Sequence, residues 1–227
     1  MLSVVASVYR SEGYLYGFFQ NLLEQTYKDF EVVLVLNEPT EKELSIVEQY
    51  KTQLTIIYTI VPLELVATSM NRAIGMTTGD IIITMGADDL FVEVAFSKFI
   101  QAFLDNPDID IVYCDFIAFK SNGKIYWIGE SIDYNFSTLK NGYYLPPCNI
   151  FKRTILDKEV GYKEEYNLAC VYEFMLRLGS KGYKFHHIPE ILIKFIRRSS
   201  SYTIIHKNAH ASMVKRIKNE YQNITPM

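Results

Sequence analysis

Two adjacent carboxylates, Asp88 and Asp89, follow a β-branched run and a glycine in the stretch Gly79-Asp80-Ile81-Ile82-Ile83-Thr84-Met85-Gly86-Ala87-Asp88-Asp89. Hard carboxylate oxygens suit Mg2+ or Mn2+, and such a metal is commonly shared between one or two carboxylates and substrate phosphates. Ile81-Ile82-Ile83 reads as a strand covered on both faces. In open α/β sheets ligands bind in the crevice outside the carboxyl ends of the strands, where this pair falls. The competing reading is structural: Asp88 caps the next helix and Asp89 favours its positive end. The surroundings of the pair have to decide between them.

The elements that would position the pair can be taken in order. Residues 2–8 read as a buried strand and 9–13 as its turn. Residues 12–25 form an amphipathic helix, with Leu15, Phe18, Phe19, Leu22 and Leu23 on one face. Strands follow over 30–36, 54–61 and 80–85, alternating with helices over 41–50 and 66–76. That alternation implies a parallel sheet with helices on both faces and right-handed crossovers. After a helix over 91–104, Ser121-Asn122-Gly123 is a hairpin turn between strands over 109–119 and 124–128, so antiparallel strands join the parallel core. Leu145-Pro146-Pro147-Cys148 reads as a rigid lead into a helix near 152–156. A helix over 169–179 and a short strand over 184–188 follow.

Composition narrows the function classes. The 227 residues are 49% hydrophobic and 22% charged, enough for one domain with a real core. A net charge of −3 argues against a general nucleic-acid binder. Cys114, Cys148 and Cys170 are far apart and show no CxxC spacing, which suggests a reducing, cytoplasmic setting. The first residues lack the basic start of a secretory signal, and no stretch reaches the ~20 apolar residues of a membrane span. His206 and His210 stand at i, i+4, a zinc-compatible spacing without an evident third ligand.

Several short motifs, in order, resemble a family-2 glycosyltransferase of the A-type, nucleotide-diphospho-sugar-binding fold. The helix ending Gln25-Thr26-Tyr27 before the acidic-led strand at Phe30-Glu31 is one; Asn71-Arg72-Ala73-Ile74 followed by Gly79-Asp80 is another. The family's Asp-x-Asp-Asp falls on Gly86-Ala87-Asp88-Asp89. Its Asp-Tyr-Glu helix falls on Val171-Tyr172-Glu173, ending in Leu176-Arg177-Leu178, and Ile188-Pro189-Glu190-Ile191-Leu192 matches a late motif. The resemblance covers nearly the whole chain. It implies one domain, with a nucleotide-binding half over about 1–106, an acceptor-binding half over about 107–200 and a basic tail over about 201–227.

The resemblance implies metal-assisted, inverting transfer of a sugar from a nucleotide-diphospho-sugar to an acceptor hydroxyl, in glycan or polysaccharide biosynthesis. Asp88 and Asp89 would hold Mn2+ or Mg2+. Ser7, Val8, Tyr9, Glu12, Asn37, Asn71 and Ala87 would surround the nucleotide, with Tyr9 against the base, Asn37 at its edge and Asn71 near the ribose or pyrophosphate. The acceptor, a glycan or lipid-linked one, would enter over residues 144–149 and the helix at Tyr172. A homo-oligomer is compatible with all of this.

Three positions depart from the family pattern. Gly86 replaces the first Asp of the metal motif. Asn37 replaces an Asp that meets the base, and an amide presents a donor as well as an acceptor. Val171 occupies the slot of the catalytic base and cannot take a proton. Glu173 and Asp115 are the named candidates for that role, with Asp133 and His206 behind them, although Glu173 points roughly 200° away from Val171 on a helix. A catalytically silent relative that binds a nucleotide-sugar or a protein partner is therefore the alternative. A nucleotidyltransferase is disfavoured because residues 7–13 are not a Gly-rich, basic loop. The C-terminal stretch carries Arg197, Arg198, Lys207, Lys215, Arg216 and Lys218 against Glu220 alone, a pattern that suits either peripheral contact with an anionic membrane or a solvated terminal helix.

Overall fold

The computed structural model describes residues 1–198 and 201–226, except for the side chain of Tyr202. The expected end of the acceptor half, near residue 200, lies outside the described residues.

Strand β1 (Leu2–Val8) holds the centre of the parallel part of the sheet. After helix α1 (Glu12–Glu24), strand β2 (Phe30–Asn37) lies parallel to β1. Helix α2 (Glu41–Tyr50) leads to β3 (Ile56–Val61), which lies parallel to β2. Helix α3 (Val66–Gly75) then crosses to β4 (Ile81–Gly86), on the other flank of β1. Apolar residues run without interruption along these strands, and alternate ones enter opposite cores. Val4, Val32 and Ile83 pack with α1 and α2, whereas Val5, Val33 and Ile82 pack with α3.

The second half starts with β5 (Leu90–Phe91), a two-residue strand where a helix is expected from the periodicity; helix α4 (Ala95–Asp105) begins four residues later. Phe91 is buried against Phe96 and Phe99, so packing draws it to the sheet instead of to a helix end. Strands β6 (Ile111–Lys120) and β7 (Ile125–Gly129) form the expected hairpin. Helix α5 (Phe136–Asn141), capped by the Asn135 side chain, follows.

The helix expected near 152–156 is instead strand β8 (Asn149–Lys152) and a 3-10 turn over Arg153–Asp157. β8 fits antiparallel between β4 and β6, with Ile150 and Phe151 fully buried, and this tertiary pairing overrides the local turn signal. Helix α6 (Cys170–Ser180) precedes β9 (Phe185–Arg197), far longer than the expected strand and parallel to β6. The register skips from Cys114–Ile188 to Asp115–Ile191, so Pro189 and Glu190 bulge out where proline has no N–H to give. A short helix α7 (Tyr202–Ile205) and α8 (Lys207–Tyr221) end the chain.

The nine strands run β3-β2-β1-β4-β8-β6-β9-β5, with β7 paired to β6. This is the expected mixed, mostly parallel α/β sheet, with α1, α2 and α4 on one face and α3, α5, α6 and α8 on the other. The basic tail is not free: α8 buries Ile217 and Tyr221 against that second face, and Lys140 Nζ donates to the carbonyls of Gln222 and Ile224.

Candidate active site

β1 and β4 are in register through Ser7 and Gly86, so the turns after both strands open at one crevice. β2 ends beside them at Asn37. Arg10 (φ 49°) and Glu38 (φ 42°), which follow β1 and β2, are the non-glycine residues in left-handed backbone among the described residues. Strain of this kind concentrates where a site demands it. Tyr9 is half-buried, with the Arg10 guanidinium 5.0 Å from its ring centroid.

Asp88 and Asp89 fold back over Gly86. Asp89 Oδ2 accepts the Gly86 N–H at 2.9 Å, and the Asp89 N–H donates to the Gly86 carbonyl at 3.2 Å. A Cβ at residue 86 would stand 2.7 Å from Asp88 Oδ1 and 3.0 Å from Asp89 Oδ2, so the missing first Asp of the family motif is what lets the carboxylates close in. Burial and the neighbouring Asp88 charge push the Asp89 carboxyl up to about 7. Neither carboxylate caps a helix, because β5 follows them and α4 starts at Ala95 without a side-chain cap. The capping alternative is thereby excluded.

The pair fits a divalent cation in a limited way. Asp88 is 38% exposed at its side chain and offers hard oxygens, while Asp89 is turned to Gly86. Among the described residues no group of three or more His, Cys, Asp or Glu side chains converges as a metal set. One or two carboxylates suffice where substrate phosphates complete the shell. Asp88 Oδ2 is ion-paired with Arg198 Nη1, and the Arg198 guanidinium lies 3.8 Å from the centroid of the Tyr14 ring.

Other expected donor residues are committed elsewhere. Asn37 is 2% exposed; its Nδ2 donates to Ser7 Oγ and the Val8 carbonyl, and its Oδ1 accepts from the Glu64 N–H and Ser69 Oγ. Expected at the edge of the base, it instead ties the strand ends to the turn before α3. Asn71, expected near the ribose, makes a reciprocal pair with the Tyr162 backbone at 2.7 Å on both bonds and lines a groove with Thr77, Arg153 and Gly161. Glu12 faces Lys42 at 3.7 Å, and Ala87 is buried. Ser7, Val8, Tyr9 and Asp88 remain together at the crevice.

On the acceptor side, Val171 sits in the first turn of α6, packed against the core. Glu173 is completely buried. It accepts from Arg177 Nε at 3.1 Å and Tyr221 Oη at 2.9 Å, and it pairs with Lys163 at 3.0 Å. A carboxylate so enclosed has no path to an acceptor hydroxyl, which removes Glu173 from the catalytic candidates. Asp115 keeps more freedom. Its Oδ1 accepts the Ser131 N–H at 2.8 Å and faces His187 Nε2 at 2.8 Å, while Oδ2 makes no hydrogen bond among the described residues. His187 stacks on Tyr113 with centroids 5.0 Å apart, and its Nδ1 lies 3.6 Å from the exposed Asp133. Arg198, Tyr14 and His187 carry no motif of their own, so only the fold reveals them.

The sequence profile of glycosyl transferase family 2 matches residues 3–162. The chain belongs to that family. An uncharacterised glycosyltransferase of Methanocaldococcus jannaschii is 27% identical over 227 residues, 96% of this chain and 76% of its own length. The O-antigen biosynthesis glycosyltransferase WbnJ of Escherichia coli is 24% identical, covering 86% of this chain and 79% of its own length. Among solved structures, S. aureus TarS superposes with a TM-score of 0.77 at 18% identity, over 100% of this chain and 66% of TarS. The mannosyltransferase PcManGT of Pyrobaculum calidifontis, solved with GDP-Man and Mn2+, superposes with a TM-score of 0.70 at 15% identity over 65% of its length. This glycosyltransferase thus has the A-type fold and spans just under two thirds of those two solved chains. Among the described residues no helix is long and apolar enough to cross a membrane.

Proposed function

We propose that this family-2 glycosyltransferase moves a sugar from a nucleotide-diphospho-sugar to an acceptor hydroxyl, with inversion by direct displacement, in glycan or polysaccharide biosynthesis. The observation that carries the reading is the convergence of residues 7–10 and 86–89 at one crevice through the Ser7–Gly86 register. Donor chemistry of this class is on record for similar folds: TarS has been solved with UDP and with UDP-GlcNAc.

Asp88 would hold Mn2+ or Mg2+, with Asp89 behind it. A cation there would offset the negative charge that builds on the leaving diphosphate. Tyr9 offers a face for the nucleobase. In the displacement, the acceptor oxygen bonds to the anomeric carbon as the bond to the diphosphate breaks, and the acceptor proton needs a base within hydrogen-bond reach. We assign that base to Asp115, through its unbonded Oδ2, with His187 and Asp133 as the route to solvent. The acceptor enters over residues 144–149 and α6, and the basic surface of α8 suits a lipid-linked acceptor at the cytoplasmic face of a membrane.

The test is a thermal-shift panel of UDP, GDP and their sugars, with and without Mn2+. A ligand that binds only the native state at about 100 times its Kd adds about 2.7 kcal/mol of stability. We expect one diphosphate to raise Tm more with Mn2+ than without, and Asp88→Ala to remove that metal-dependent part while keeping the unliganded Tm. A panel without any shift overturns the donor site. A shift without turnover of the matching nucleotide-sugar, even with acceptor glycans, overturns the assignment of Asp115.

A further inference from the structure

We propose that Arg198 and a divalent cation are alternative partners of Asp88, and that the guanidinium, once displaced from Asp88, binds the diphosphate of the donor. The inference rests on the donor-site reading above and adds to it a residue and an order of exchange.

Three observations converge on Arg198. Its Nη1 is ion-paired with Oδ2 of Asp88, the partly exposed carboxylate at the end of β4 that is expected to meet a metal. Its guanidinium is seated 3.8 Å from the Tyr14 ring centroid, on the first turn of α1 and beside the turn that follows β1. Its side chain is only 12% exposed, although it stands next to the end of β9 and near the C-terminal tail. An arginine pinned between an aromatic face and a carboxylate is already largely ordered, so little entropy is lost when it changes partner.

The charges decide which partner it keeps. Asp88 is one carboxylate, and a divalent cation on it would lie within a few ångströms of the guanidinium, so the two cations repel. Both cannot hold Asp88 at full strength. A nucleoside diphosphate brings several negative charges to the same crevice, and the planar guanidinium matches phosphate oxygens bidentately where an ammonium would act as a point charge. Stacking on Tyr14 keeps the displaced group at the crevice instead of releasing it to solvent. Arg198 would then serve the leaving diphosphate alongside the metal and would give the site some affinity for nucleotide even without metal.

Two binding measurements on wild type, Arg198→Ala and Arg198→Lys test this without any turnover. Mn2+ alone is titrated by the paramagnetic signal of the free ion. UDP and GDP are titrated by calorimetry, in EDTA and in Mn2+. Loss of a charged hydrogen-bond partner should make Arg198→Ala bind Mn2+ about tenfold more tightly and, in EDTA, bind the diphosphate about tenfold more weakly. Arg198→Lys should fall between the two on both axes. Tyr14→Ala, which leaves the ion pair in place, should weaken nucleotide binding by a smaller factor and guards against a folding defect in the arginine variants. Unchanged Mn2+ affinity in Arg198→Ala overturns the competition, and unchanged nucleotide affinity overturns the diphosphate contact. If wild type binds neither diphosphate under any condition, the donor-site reading has failed, and the Mn2+ titration still judges the competition at Asp88.

Discussion

Two clusters of opposite charge are built from nearly the same residue types, and they do different things. One gathers Glu173, Arg177, Glu159, Lys163 and Lys181 along α6, from its first turn to its C-cap. The other gathers Asp88, Asp89 and Arg198 at the ends of β1 and β4. In the first, the Arg177 guanidinium donates to Glu173, Glu159 and the carbonyls of Val160 and Gly161, so its fork is filled. Tyr221 from α8 closes the remaining side of Glu173. In the second, Asp88 makes one side-chain pairing among the described residues and stays partly open, and burial and the Asp88 charge push the Asp89 carboxyl up to about 7. A saturated buried network fixes a fold, whereas an unsaturated, half-open one has lone pairs left for a ligand. The family resemblance places Glu173 next to the catalytic slot, but saturation assigns it to structure.

The sharpest way to break this comparison is Glu173→Ala. Removing one partner from a buried ion network leaves the others uncompensated and costs about 3–5 kcal/mol. The midpoint of urea unfolding should fall accordingly, with the slope of the transition unchanged. Nucleotide affinity of the fraction that stays folded should equal wild type. A variant of normal stability but reduced donor or acceptor turnover would return Glu173 to the active site and dissolve the distinction.

Asp115 lies between the two cases, since one of its oxygens is spent and the other is not. Asp115→Asn keeps an acceptor for the Ser131 N–H yet cannot take a proton at neutral pH. General-base loss typically lowers rate about 10²–10⁴-fold, and we expect kcat to fall in that range with KM for the donor little changed. The variant should melt within a few degrees of wild type. Equal turnover in Asp115→Asn would show that Asp115, like Glu173, is structural, and that the proton goes to another group.

How far these roles could be read beforehand follows from the range of the interactions. The strands and helices of residues 2–86 were legible because unbroken apolar runs and i, i+4 faces are local signals, and the site pair followed from the end of β4. β8 was not legible: Asn149–Lys152 is a strand because β4 and β6 flank it, and the preceding prolines point elsewhere. Asn37 and Asn71 were found as polar residues at telling positions, but whether an amide faces a ligand or its own backbone depends on partners such as Tyr162, 91 residues away. Arg198 could be counted only as one more basic residue near the C-terminus, because its partner lies 110 positions earlier.

Tyr9 offers the smallest effect and the cleanest contrast with Glu173. It belongs to neither hydrophobic core, and the ring contact it makes among the described residues is with the guanidinium of the exposed Arg10. Its removal should therefore leave stability almost untouched, as surface changes usually do within about 0.5 kcal/mol. If the nucleobase stacks on its ring, Tyr9→Ala loses about 1–3 kcal/mol of binding, which is about 5- to 150-fold in Kd for the diphosphate. Tyr9→Phe keeps the face and should bind as wild type does, because stacking needs the ring and not the hydroxyl. Binding lost in both variants would mean the hydroxyl makes the contact, and binding kept in both would place the base elsewhere along the crevice. The double outcome expected here, affinity lost without stability in Tyr9→Ala and stability lost without affinity in Glu173→Ala, is what the contrast between an open and a saturated environment requires.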